Sequence, residues 1–150
     1  MAITSAVCTS FKVELLKGEH NFTASTGDTF KIALYTSSAT LGASTTDYAS
    51  TNEITNTSGT AYTAGGATLT SVTPVADSTT AICDFSDVSW TDASFTANGA
   101  LIYDTTTGTG SGTTDAVAAI AFGGDKTATS GTFTIQFPAA AASTAILRIA

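Results

Sequence analysis

Apolar and polar residues alternate with a period of two along much of the chain, which is the pattern of half-buried β-strands. Residues 116–122 are apolar at nearly every position, which predicts a strand covered on both faces. The segment 123–130 is rich in glycine, threonine and serine and predicts the loop of a long hairpin. The second strand of this hairpin is 131–137, whose apolar face consists of Phe133, Ile135 and Phe137.

The same alternation at 28–35 predicts the first strong strand of the chain. Its apolar face consists of Phe30, Ile32 and Leu34. We expect this face and that of 131–137 to form one core, with Ile135 at its centre. Two further alternating segments, 67–75 and 79–85, predict a hairpin.

Shorter signals continue the series of strands toward the C terminus. An apolar alternation at 88–90 follows 86–87, where we expect a β-bulge. The dipeptide Asn98-Gly99 predicts a tight turn that leads into a strand at 100–104. The alternation at 144–149 predicts a closing strand.

Residues 10–17 are the segment that predicts a helix. Ser10 can serve as its N-cap and Gly18 as the left-handed residue that ends it. Phe11 and Leu15 lie one turn apart on the same helical face. Because two turns are marginally stable alone, this face must pack against the sheets.

Two polar segments separate the predicted strands. Residues 36–66 are too long for an ordinary loop, so we expect a short strand near 52–57 or an ordered excursion. Residues 105–114 are a low-complexity tract that predicts an exposed loop. Both segments are polar, so we expect them to provide contacts to a neighbouring protein.

Seven to nine strands without crossover helices indicate an all-β fold. We expect an antiparallel β-sandwich or a jelly-roll-like barrel with one short N-terminal helix. A length of 150 residues indicates a single β-rich structural domain over 1–150.

Composition makes the wet faces of these strands rich in hydroxyl groups, since the chain has 32 threonines and 16 serines. Charged residues make up 11% of the chain and the net charge is −7. No basic stripe is present to neutralise phosphates, which argues against nucleic acid and anionic membranes as partners. The first ten residues lack a signal-peptide pattern, so we expect synthesis in a cytoplasm.

His20 is the only histidine, so a Ser-His-Asp or Cys-His arrangement would have to use it. A cap or core hydrogen bond explains this residue better than catalysis. Cys8 and Cys83 are flanked by apolar residues and fit buried free thiols, with a disulfide between them as the open alternative. We expect no catalytic residue, no metal site of histidine and cysteine, and no cofactor.

Three weaker patterns fit structural roles better than functional ones. The acids near Trp90 are Asp84, Asp87 and Asp92. They could bind a hard cation, but their spacing matches no calcium loop. The glycines at 108–112 lack the lysine of a phosphate loop. Glycosylation patterns at 21–23 and 56–58 lack a secretory signal.

A set of strand and turn segments is distributed over most of the chain. It comprises 10–16 with Gly18 and His20, 30–36, 62–66, Trp90, 99–103 and 122–126. Together these segments resemble a family of small virion structural proteins of tailed bacteriophages. The resemblance implies a β-rich protein on the phage particle, most specifically a capsid decoration (cement) protein on the head exterior, and it implies no catalytic residue.

We therefore expect a virion structural protein rather than an enzyme. Its expected partners are the major capsid protein and copies of itself, as a homo-oligomer or bound to the capsid lattice. A tail or fibre-associated virion protein is the alternative. A sugar-binding module or hydrolase is a third possibility, but it would need stacking aromatic residues, and Trp90 is the only tryptophan.

Overall fold

The computed structural model describes residues 2–55, 59–106 and 112–150. Five strands form an antiparallel sheet in the order β1-β7-β6-β2-β3, and three form a second in the order β4-β5-β8. The elements are β1 (Ala6–Val7), α1 (Thr9–Lys17), β2 (Phe30–Tyr35), β3 (Ala67–Thr68), β4 (Ser71–Asp77), β5 (Thr80–Phe85), β6 (Val88–Asp104), β7 (Ala116–Ile135) and β8 (Leu147–Ile149). The fold is an all-β sandwich with one short N-terminal helix, as the alternating pattern predicts. No helix in the described part of the chain is long and apolar enough to cross a membrane.

Aromatic side chains join the two sheets. The ring of Phe30 on β2 lies 5.8 Å from that of Phe85 on β5, and Phe22 stacks on Phe30 at 4.3 Å. Phe11 of α1 meets Phe22 edge-on at 5.9 Å, so the predicted apolar face of the helix closes one side of this core. Aromatic pairs of this kind add to the stability that burial provides.

Strand β2 lies between β6 and β3 and is buried on both faces. Its residues Ile32, Ala33 and Leu34 are fully inaccessible to solvent. Phe30 packs into the sandwich against Phe85, and the hydroxyl of Tyr35 donates a hydrogen bond to the Ala49 carbonyl in the segment 36–55. The predicted strand at 28–35 is confirmed, with its ends at Phe30 and Tyr35.

The predicted hairpin loop at 123–130 is wrong, because this segment lies inside β7, a single strand of 20 residues. Ala97 of β6 pairs with Lys126 of β7, and Gly99 pairs with Ala121. Between these two pairs the chain advances two residues on β6 and five residues on β7. The extra residues form a bulge, in which Gly123 and Gly124 have φ values of 72° and 139°.

The predicted turn at Asn98-Gly99 is also wrong, since both residues lie inside β6. Strand β6 continues instead to Asp104 and β7 begins at Ala116, so the polar tract at 105–114 lies between the two strands in the chain. Residues 107–111 of this tract lie outside the described part of the chain.

The helix begins earlier than predicted, with Cys8 rather than Ser10 as the N-cap. Gly18 ends it in the left-handed conformation, with φ 77°, as predicted. Phe11 is buried and Leu15 is half-buried, which confirms the predicted face. Leu16 points to solvent and is 90% exposed.

The predicted hairpin of 67–75 with 79–85 is confirmed for β4 and β5, which turn at Ser78-Thr79. The first half of this segment belongs to the other sheet, where β3 pairs with β2. At 86–87 the chain passes from one sheet to the other, so the predicted bulge there is wrong. The closing strand forms as β8 beside β5.

Candidate functional site

The single histidine lies in a buried cluster of acids that the sequence does not place together. His20 Nδ1 lies 2.9 Å from Asp104 Oδ2, and His20 Nε2 lies 3.0 Å from Glu14 Oε2. The side chains of His20 and Asp104 are fully buried. Asp28, just before β2, completes the group within 4.8 Å of His20 and Asp104.

Four separate segments bring these side chains together. Glu14 lies on α1 three residues after Phe11 and so shares its buried face. His20 follows the helix, and Asp104 ends β6 directly beside Phe30 of β2. An acid on the buried face of a helix is a signal in the sequence, because unpaired buried carboxylates are costly.

Burial alone would lower the pKa of His20, but its hydrogen bonds to Asp104 and Glu14 outweigh burial and raise the pKa above its usual value. Desolvation also raises the pKa of Asp28, against a hydrogen bond from the Asn21 N–H, and the nearby Asp104 raises it further. His20 and Asp28 therefore both keep their protons to a higher pH than isolated groups of the same type.

This arrangement does not form a nucleophile-activating triad. In a Ser-His-Asp site one imidazole nitrogen contacts an acid and the other contacts the nucleophile. Here both nitrogens of His20 contact carboxylates, those of Asp104 and Glu14. The core hydrogen bond expected for His20 is confirmed, with two acid partners.

A second buried carboxylate joins 36–66 to the sheet. Glu53 accepts hydrogen bonds from the hydroxyls of Tyr48 and Tyr62 at 2.6 and 2.7 Å and from the Gly65 N–H at 2.7 Å. Tyr62 also accepts the N–H of Leu34 on β2. Burial and then Glu53 raise the pKa of Tyr62, so its hydroxyl remains a donor.

This network shows that the described residues of the excursion, 36–55 and 59–66, pack on the sheet. Glu53 forms an isolated bridge with Tyr35 and no strand follows in 52–55, where the described part of the predicted strand lies. Ile54 and Tyr62 are buried, so the described part of this polar segment contributes to the core. Its contact to a neighbouring protein stays a prediction.

Both cysteines are buried free thiols, which confirms the expected reading. Desolvation is the main cause that raises the pKa of Cys8 to about 11 and that of Cys83 to about 12. Thiolate is the reactive form of cysteine, so neither residue has the environment of a nucleophile.

The three acids near Trp90 do not form a group of possible metal ligands in the described part of the chain. Asp87 accepts the Phe137 N–H at 2.8 Å, and Asp92 has φ 54° in an exposed bulge of β6. Asn21 of the first glycosylation pattern accepts the Thr23 N–H. The second pattern, at 56–58, and most of the glycine tract at 108–112 lie outside the described residues.

The outer halves of β6 and β7 extend past the rest of their sheet. Strand β2 pairs only with 99–104 of β6, and β1 pairs only with 118–119 of β7. We call 88–98 of β6 with 122–135 of β7 the outer ribbon. Among the described residues, no main-chain hydrogen bond reaches 122–135 from outside the ribbon.

One face of the outer ribbon packs on the body of the protein. Trp90, Phe95 and Phe133 are buried, and the first two lie 6.0 and 5.8 Å from the ring of Tyr62. The solvent face carries hydroxyl pairs, such as Thr96 with Thr127 at 2.7 Å. The predicted apolar face at 131–137 is thus confirmed for Phe133 and Phe137, which are buried, while Ile135 is only half-buried.

An apolar groove runs along the unpaired edge of β7. It has a volume of about 550 Å³ and Lys126 is the only charged residue that lines it. Its apolar lining includes Ile120, Phe122, Phe133, Ile135, Phe137 and Ile146. An unpaired strand edge beside apolar side chains is suited to binding an extended chain.

Charge is distributed unevenly between this region and the rest of the chain. Residues 116–150 contain one acid, Asp125, and two bases, Lys126 and Arg148, so their net charge is +1. The remaining 115 residues contain eleven acids and three bases, a net charge of −8. The C-terminal segment that contains the edge of β7 is therefore less acidic than the rest of the chain.

Comparisons with known proteins identify no relative. No family model matches the chain, and neither the curated proteins nor the solved structures include a significant match.

Proposed function

We propose that this chain is a bacteriophage virion structural protein, specifically a decoration protein that binds the capsid exterior and stabilises the shell. The segments that resemble small phage virion proteins support this proposal. The unpaired edge of β7 beside an apolar groove is the structural observation that carries it, because such an edge leaves main-chain donors and acceptors for another protein.

The occupant of this edge is an extended segment of the major capsid protein. Main-chain groups of β7 pair with those of the incoming strand, and the groove receives its alternate side chains. The lining is nearly neutral, so a neutral or acidic segment can approach it without the repulsion that the rest of this acidic chain would impose.

Binding of this kind depends weakly on salt, because few charges are neutralised at the contact. Repetition of the contact over a symmetric lattice increases the stability of the assembly. The buried Glu53 network makes 36–66 a poor choice for deletion, since its loss would disturb the fold. Variants on the edge of β7 test the contact more directly.

The test mixes purified protein with undecorated capsids at low and high salt and measures the bound fraction by sedimentation. The variant T132K/Q136K places two charges on exposed residues that line the groove. We expect at least a tenfold loss of affinity. The matched control V72K/V75K makes a similar change on exposed residues of the other sheet and should bind normally.

Equal binding by both variants would reject the edge of β7 as the contact. Failure of the unmodified protein to bind capsids at any salt would reject the capsid assignment. Copy number in purified particles distinguishes the alternative, since hundreds of copies indicate the capsid and a handful indicate the tail or its fibres.

The proposal includes no enzymatic activity. Trp90 is 7% exposed and packs on Tyr62 and Phe95, so it cannot serve as the stacking platform of a sugar-binding module. The structural role therefore accounts for the described surface better than a carbohydrate site does.

A further inference from the structure

The buried histidine cluster has the composition of a transition-metal site. It offers an imidazole nitrogen from His20 and carboxylate oxygens from Asp28 and Asp104, all within 4.8 Å of one another. These three residues come from the segment after α1, the segment before β2 and the end of β6. A site built from three distant segments is preorganised by the fold rather than by one loop.

Each of the three side chains also forms a hydrogen bond with a group outside the set of candidate ligands. His20 Nε2 is 3.0 Å from Glu14 Oε2, which leaves Nδ1 directed at Asp104. Asp104 Oδ1 accepts the Thr106 N–H at 2.8 Å, and Asp28 Oδ2 accepts the Asn21 N–H at 2.5 Å.

Such outer contacts orient the ligands in known metal sites. A carboxylate that accepts the second N–H of a metal-bound histidine is the commonest example, and Glu14 has this position here. Asp104 keeps its other oxygen, Oδ2, 2.9 Å from His20 Nδ1, and a carboxylate oxygen of Asp28 lies within 4.8 Å of both ligand atoms. The hydrogen bonds therefore hold three ligand side chains close to one another.

The geometry places one nitrogen ligand and two oxygen ligands around a shared space. His20 Nδ1 lies 2.9 Å from Asp104 Oδ2, and a carboxylate oxygen of Asp28 lies within 4.8 Å of both atoms. A divalent cation between them would meet one imidazole and two carboxylate side chains.

We propose that His20 Nδ1, Asp28 and Asp104 bind one divalent transition-metal ion, with Zn²⁺ as the representative cation. A nitrogen ligand with carboxylates favours Zn²⁺ over Ca²⁺ and Mg²⁺, which prefer oxygen ligands alone. Asp28 is half-buried, so the ion reaches the site from its side, and solvent completes the coordination. The bound ion ties α1 to β2 and β6 and stabilises the sandwich.

Isothermal titration of the full chain with Zn²⁺, after treatment with a chelator, tests this proposal. We expect one equivalent to bind, with a heat that depends on the buffer, because ligands release protons when they bind a metal. Parallel titrations with Ca²⁺ and Mg²⁺ should show no binding in the same concentration range. Zn²⁺ at a hundred times its Kd should also raise the thermal midpoint.

The variant D28N removes a ligand that is only half-buried, and we expect it to weaken Zn²⁺ binding by a factor of ten or more. The control D92N changes an exposed acid at a positive φ that asparagine tolerates, so its affinity should match that of the unmodified protein. A second ligand variant, H20Q, should abolish binding if it folds.

Two results would overturn the proposal. Absence of Zn²⁺ binding by the folded, unmodified protein would mean that the cluster is held by protons alone. Equal Zn²⁺ affinity in D28N and D92N would place the ion elsewhere. If D28N does not fold, the titrations of the unmodified protein with Zn²⁺, Ca²⁺ and Mg²⁺ still decide the question.

Discussion

The inner and outer halves of the long β6–β7 pair have the same backbone pairing but different surroundings. In the inner half, 99–104 of β6 lies between β7 and β2, and Leu101 and Ile102 are fully buried. In the outer ribbon, no third strand of the described part of the chain pairs with either of the two strands. Pairing with one strand therefore does not bury a strand. Burial also requires a second neighbouring strand and side chains packed over both faces of the sheet.

Side-chain chemistry follows this difference. The inner half is a near-continuous apolar run, as expected for strands covered on both faces. The outer ribbon alternates threonine with aromatic and aliphatic residues, as expected for strands with one wet face. The bulge at Gly123 and Gly124 lies where one pattern changes into the other.

Truncation of one apolar side chain in each half should give the largest difference in stability between the two halves. We expect L101A to reduce the free energy of unfolding by about 2–5 kcal/mol, because it leaves a cavity in a fully buried layer. I135A should cost about 1 kcal/mol, since that side chain is already half-exposed in the groove. Denaturant unfolding measures both values, and equal losses would show that the outer ribbon is as well packed as the body.

Loss of the Glu53 carboxylate should loosen the connection between the body and the outer ribbon. E53A leaves the hydroxyls of Tyr48 and Tyr62 without their acceptor, and we expect a loss of about 3 kcal/mol. Because Tyr62 packs on Trp90, the tryptophan fluorescence should also change.

The control for this prediction is E53Q, which keeps one acceptor oxygen and should be less destabilising than E53A. An unchanged fluorescence spectrum in a destabilised E53A protein would mean that Glu53 supports the body without positioning the outer ribbon.

The bulge between the two halves should be moderately sensitive. G123A introduces a side chain at φ 72°, and we expect a cost of about 1 kcal/mol from backbone strain. The added Cβ meets no atom within 4 Å, so steric overlap does not contribute.

G112A is the matched control, since its Cβ also meets no atom and its φ is not in the left-handed region. Thermal unfolding should show little change for G112A. A similar loss of stability in G123A and G112A would show that the positive φ of Gly123 is not the cause.

The exposed face of the outer ribbon should be the least sensitive. T129V changes a solvent-exposed residue of β7, and we expect its effect on unfolding to lie within about 0.5 kcal/mol. Chemical denaturation checks this value. A loss above about 1 kcal/mol would show that the hydroxyl face contributes to folding, contrary to the distinction between the two halves.

The candidate metal cluster illustrates what a linear pattern omits. His20 is separated from Asp104 by 84 positions, and no spacing rule joins them. Glu14 was recognisable only as an acid on the apolar face of the helix. The Glu53 network is also absent from the linear pattern. In the sequence Tyr48 and Tyr62 are only isolated apolar positions, and their shared contact with Glu53 forms when the chain packs against β2.

Period-two alternation and the missing crossover helices were sufficient to predict an all-β fold with one short helix, either a sandwich or a jelly-roll-like barrel, and the structure shows the sandwich. Local chemistry also determined the end of α1 at Gly18, because a left-handed position depends on a single residue. Tertiary structure alone decided that 123–130 continues a strand, since glycine at positive φ serves a bulge as well as a turn. It also decided which edge of the sheet stays unpaired and which acids meet His20, because both depend on contacts between residues far apart in the chain.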